Sequence, residues 1–161
     1  MNIRYAVVLE AGSILPDRDF LISQAWGDVP VSYVQDHEVF NECSYLDLKI
    51  NKWEVNREWS NRPDSDAWIR IEILRAQNLE EYLRSDECSL PIDTECDALL
   101  TFELDEGGGV MDEMLLLRLL SVFYGQFKVY RCSDFIEEVS ADTIASLPER
   151  SAILDKLTRC E

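Results

Sequence analysis

Residues 98–132 read ALLTFELDEGGGVMDEMLLLRLLSVFYGQFKVYRC, and this stretch decides the fold class. Ala98 to Leu104 is an apolar run too short for a helix and stopped by Asp105-Glu106, which predicts a buried strand. Gly107-Gly108-Gly109 then breaks the chain. The next residues are apolar nearly all round as far as Tyr124, the pattern of a central, buried helix. Asp112 and Glu113 fall in its first turn, where negative charge suits the helix dipole. Gly125 ends it, and Phe127 to Cys132 returns as a second strand. Strand, helix and strand form a β-α-β unit, whose parallel strands require a right-handed crossover.

Working outward, Ile3 to Leu9 is another short apolar run and predicts a strand. Asp17 stands where it can cap a helix running to Trp26, and Gly27 closes that helix. Residues 29–43 carry weak signals for a strand or loop. Tyr45 to Ile50 alternates, with Leu46, Leu48 and Ile50 on one face. Asn51-Lys52 is a candidate turn, after which Trp53, Val55 and Arg57 fit a continuing strand with Trp53 and Trp59 in register. Ala67 to Leu74 alternates again, so residues 45–74 predict three neighbouring antiparallel strands. Leu79 to Leu83 fits one or two helical turns, and Ser85 to Asp97 a polar loop. Two short helices are expected after the last strand, near Ala141 to Ser146 and from Pro148, at a first helical position, to Leu157. The sum is an α+β fold: a mixed sheet of five or six strands, helices mainly on one face, and a single domain over residues 1–161.

Charge is the outlier in the composition. The chain has 161 residues, 32 acids, 15 bases and a net charge of −17. Such a balance disfavours nucleic acid and anionic membranes, which attract Lys/Arg-rich surfaces. It steers cationic partners. The charge is also segregated. No base lies between Arg84 and Arg118, a window holding Asp86, Glu87, Asp93, Glu95, Asp97, Glu103, Asp105, Glu106, Asp112 and Glu113. None lies between Arg18 and Lys49, where Asp19, Asp28, Asp36, Glu38, Glu42 and Asp47 fall. Lys49, Lys52, Arg57, Arg62, Arg70, Arg75 and Arg84 gather between the two windows. The candidate partner-binding surface is the acidic loop and glycine turn: Asp86, Glu87, Asp93, Glu95, Asp97, Asp105 and Glu106.

Signals for chemistry are weak. The glycine turn has the position of a phosphate loop but lacks its Lys and Ser/Thr, and its flanking acids repel phosphate. Asp105, Glu106, Asp112 and Glu113 offer oxygen ligands to a hard cation, at a spacing that matches no EF-hand. His37 is the only histidine, and no nucleophile elbow is present. Cys88 and Cys96 are too far apart for a usual zinc pair. Cys43, Cys88, Cys96, Cys132 and Cys160 are expected to be free thiols in a reducing cytoplasm. Neither a signal core nor a bilayer-length apolar stretch is seen. Trp53, Trp59 and Trp68 are expected in the core or at an interface.

In size, acidity and lack of catalytic motifs the chain resembles bacterial immunity proteins, small cytoplasmic proteins that block a cognate toxin, which is often a cationic nuclease. No residue motif carries the resemblance, so it implies no particular site residues. The expected function is therefore binding and neutralising a basic, toxin-like protein, without enzymatic activity, cofactor or metal. Two alternatives stand beside it: a nucleic-acid mimic that inhibits a nuclease, and an enzyme or small-ligand binder built on carboxylates.

Overall fold

The computed structural model describes residues 3–62, 67–84 and 96–160. Its strands are β1 (Arg4–Glu10), β2 (Val31–Gln35), β3 (Tyr45–Ile50), β4 (Ile69–Arg75), β5 (Cys96–Leu104), β6 (Lys128–Cys132) and β7 (Ile136–Glu138). Its α-helices are α1 (Arg18–Trp26), α2 (Lys52–Val55), α3 (Ala76–Arg84), α4 (Val110–Phe123), α5 (Ala141–Ala145) and α6 (Arg150–Arg159). Short 3-10 turns cover Phe40–Glu42 and Arg57–Asn61.

The strands form one sheet in the order β2-β3-β4-β5-β1-β6-β7. Every neighbouring pair is antiparallel. The α+β class is as expected, but the sheet has seven strands and no parallel neighbours, where a mixed sheet of five or six was expected. β5 and β6 do run the same way around α4, with β1 inserted between them. The reason lies in β1. Tyr5, Val7 and Leu9 are buried on one face and Ala6 on the other. A strand apolar on both faces is most stable in the centre of a sheet, with a neighbour on each side.

The inner face of the sheet carries the main core. Leu46, Leu48, Ile69, Ile71, Leu100, Phe102 and Val7 pack there against Leu21 and Trp26 of α1, Leu115, Leu119 and Phe123 of α4, and Ile153 and Leu157 of α6. A smaller cluster lies on the outer face, where Leu79 of α3 meets Ala6, Leu74 and Leu99. Helices therefore cover both faces, unevenly.

Residues 53–57 do not form a strand. Trp53 lies on α2 and is exposed, while Trp59 is fully buried. The segment instead closes the carboxyl end of α6. Trp59 Nε1 donates to the Leu157 carbonyl at 2.8 Å, Asn56 Nδ2 to Thr158 at 2.7 Å, and an Arg62 guanidinium nitrogen to Cys160 at 2.7 Å. The last carbonyls of a helix lack the usual partner within it. This collar serves those of Leu157 and Thr158, and that of Cys160 just beyond the helix. The Leu157 carbonyl is also bonded by the Cys160 N–H at 3.2 Å. The third antiparallel strand of the region is β2, which pairs with β3. Two helix starts also differ from expectation. Asp17 stands at the cap of α1 without a capping side-chain bond. Pro148 lies outside α6, whose cap position is Glu149.

Lys52 is the one buried base among the described residues, at 1% exposure. Its ammonium pairs with the buried Asp112 carboxylate at the start of α4 and lies 5.4 Å from the Trp59 ring centre. Asp112 also accepts from the Gly109 N–H at 3.0 Å. The pair fixes α2 to the first turn of α4.

Candidate partner-binding groove

Folding rearranges the charge pattern. The base-bearing β4 lies between the acid-bearing β3 and β5. Arg70 thus bonds Asp47 at 2.8 Å on one side and Asp105 at 2.7 Å on the other. Arg4 pairs with Glu103 at 3.4 Å. Burial pushes the Asp47 carboxyl above its ordinary value, and Arg70 opposes the shift. Segregation along the chain is thus partly cancelled in space by strand order.

Of the expected surface, Asp86, Glu87, Asp93 and Glu95 lie outside the described residues. Asp97, Asp105 and Glu106 do not form one patch. Asp97 sits near the start of β5 and accepts from the Gly12 N–H at 3.1 Å. Asp105 follows the end of that strand, roughly 27 Å away at the usual rise per residue. Its carboxylate is held by Arg70. Glu106 is exposed on the glycine turn.

The turn is shaped by its glycines. Gly107 has φ +91°, a conformation that favours glycine. A Cβ at Gly108 would lie 2.6 Å from Leu104 Cδ2, so a side chain here requires the Leu104 side chain to shift. Gly109 caps α4 and donates to Asp112, so the helix start is served by the chain's own carboxylate. Asp112 and Asp105 are thus both engaged, and the four carboxylates considered for a cation do not converge. Among the described residues no group of three His, Cys, Asp or Glu is placed to hold a metal.

Beside the turn runs a groove in two adjoining parts. The first, about 420 Å³, is lined by Ile3, Leu104, Glu106, Val110 and Leu116 among others. The second, about 370 Å³, is lined by Leu117, Arg131, Glu137, Glu138 and Val139 among others. Tyr5 and Glu113 line both. The walls thus carry Asp105, Glu106, Glu113, Glu137 and Glu138 against a single arginine, with Asp105 bonded to Arg70. Apolar side chains line the space between them, and Val110 is 87% exposed.

Tyr5 and Arg131 are directly opposed across β1 and β6, and Arg131 lies 3.6 Å from Glu137. Burial pushes the Tyr5 phenol above its ordinary value. Arg131, as its hydrogen-bond partner, pulls it down, while Glu113 and Glu137 push it up. Tyr5 is therefore a neutral hydroxyl at physiological pH and not a base. The hydroxyl of Ser140 is occupied in capping α5, where it accepts from the Thr143 N–H at 3.2 Å. Neither lining set contains histidine or cysteine. The arrangement suits a long apolar stem ending in a positive charge, the shape of a lysine or arginine side chain.

The other candidate side chains lie elsewhere. His37 is exposed, its Nδ1 accepting from the Val39 N–H at 3.1 Å and its Nε2 lying 3.1 Å from Glu42. Cys43 is buried, and desolvation pushes its thiol upward. Trp68 lies half-buried under Lys49 at 5.1 Å. Cys88 lies outside the described residues. Tyr5, Arg131, Glu137 and Glu138 were not legible as site residues. Nothing in local spacing joins Tyr5 to Arg131, and only the central placement of β1 does. Comparison of the chain with family models, with curated proteins and with solved structures gave no match. No helix among the described residues is long and apolar enough to cross a membrane.

Proposed function

We propose that this protein is an interaction protein that binds and neutralises a cationic protein partner, acting as an immunity protein against a toxin of the nuclease type. The observation that carries the reading is the groove beside the glycine turn. It places Asp105, four glutamates and one arginine around a surface of mixed polar and apolar side chains, on a chain of net charge −17. Complementary charge of this kind raises association rate and specificity. The Asp105 carboxylate in this groove is bonded to Arg70. The proposed docking surface is defined by Glu106, Glu113 and Glu137.

Purification from the native host with wild-type bait and with an E106K/E113K/E137K variant tests the proposal. The wild type is expected to retain a basic protein, to release it at about 0.5 M salt, where charges are screened within a few ångströms, and to suppress its activity. The variant is expected to fold normally and retain nothing. A partner held equally by the variant, or held independently of salt, would overturn the reading.

A further inference from the structure

β2 is an edge strand, and among the described residues no strand pairs with its outer side. The pattern of backbone bonds shows which groups face outward. Asn51 N–H donates to the Pro30 carbonyl at 2.8 Å, on the same register that pairs Val31 with Ile50. Hydrogen-bonded pairs alternate in an antiparallel ladder. Ser32 and Val34 therefore bond to β3, and the N–H and C=O groups of Val31, Tyr33 and Gln35 point away from the sheet. The next ladder agrees: Ile73 N–H donates to Ser44 O at 2.8 Å, which turns residues 46 and 48 of β3 to β4 and residues 47 and 49 to β2.

Edges of this kind are usually blunted by charge, proline or brevity. The opposite edge, β7, follows that rule with three residues, two of them glutamates. β2 does not. It reads VSYVQ, with no charge or proline within it, and Tyr33 and Val34 are 48% and 47% exposed. On the strand itself, Arg18 lies over the Tyr33 ring at 3.7 Å and bonds Gln35, and Lys49 stands opposite Ser32. Beyond the two ends, Asp28, Asp36 and Glu38 are exposed, within a stretch that has no base between Arg18 and Lys49.

We infer that β2 receives an extended, cationic segment of a partner protein by strand addition, its backbone on Val31, Tyr33 and Gln35 and its basic residues at the acidic ends. Unpaired backbone groups specify a strand as the occupant, and the flanking carboxylates specify its charge. A second copy of this chain would bring like charge to both ends. The inference rests on a cationic partner as proposed above but uses a different surface, so the two fail separately.

The probe is an N-acetylated peptide, KKVTVTVTKK, added to the full chain. Binding is expected to slow amide exchange of Val31, Tyr33 and Gln35. It is expected to weaken at least about tenfold, or 1.4 kcal/mol, when alternate peptide amides are N-methylated or when the lysines are replaced by glutamate. The E106K/E113K/E137K variant is expected to bind the peptide as the wild type does. No protection at the three amides, equal binding of the N-methylated peptide, or loss of binding in the groove variant would overturn the inference. So would a concentration-dependent dimer that protects the same amides without peptide.

Discussion

Tyr5 shows how a residue with no local signal becomes part of a site. Its ring is buried in the central strand, and its hydroxyl reaches a cluster of opposite charges. A raised phenol pKa has a definite consequence for stability. The folded state holds the proton more tightly than the unfolded chain does. The stabilisation is therefore complete below the unfolded value of about 10 and is lost as pH rises through the folded value. Urea unfolding followed from about pH 8 to about pH 11 is expected to show a steep alkaline loss that Tyr5→Phe makes shallower. An unchanged slope would remove the Tyr5 phenol as its source. Lys52 is the opposite case. In the sequence it is a polar residue beside Asn51 in a turn, yet it is buried against Asp112. Burial of a lysine depends on a carboxylate sixty positions away, and no window of local residues contains that information.

At the level of elements, most segments were legible, including the short helix at Ala141–Ala145, and residues 53–57 were misread. The alternation of Leu46, Leu48 and Ile50, and of Ile69, Ile71 and Ile73, reported the buried face of β3 and β4 correctly. The apolar surface of α4 reported a central helix. Trp53, Val55 and Arg57 gave the same two-residue period by coincidence. Their segment is shaped by the open carbonyls of α6, which only the folded structure presents. Removing the Trp59 indole donor while keeping an aromatic ring tests that account. Trp59→Phe leaves the Leu157 carbonyl with the Cys160 N–H alone and is expected to cost about 0.5–1.5 kcal/mol, with faster amide exchange in α6. A loss confined to packing, without change in α6 exchange, would show that the collar is not what secures the helix. The site was legible only in part. Glu106 and the glycine turn mark one wall of the groove, while Glu137 and Glu138 lie on a strand too short for its pattern to be read.

For the molecule as a whole, the interleaving of β3, β4 and β5 pairs Asp47 and Asp105 with Arg70 but leaves the overall excess of acid unchanged. Self-repulsion at −17 opposes the compact state. Thermal unfolding is therefore expected to shift upward by a few degrees between about 0.02 M and about 0.5 M sodium chloride, as the Debye length falls from about 20 Å to about 4 Å. A midpoint that falls over this range would mean that the ion pairs on the outer sheet face outweigh the repulsion.

The central position of β1 also governs how the chain reaches its fold. β1 is made well before both of its neighbours, β5 and β6, which lie about a hundred residues downstream. During translation its Tyr-Ala-Val-Val-Leu run lacks both of these partner strands until about a hundred further residues have emerged. Such distant pairing slows folding and leaves an apolar strand exposed meanwhile. The net charge of −17 opposes association between such chains before the sheet can close.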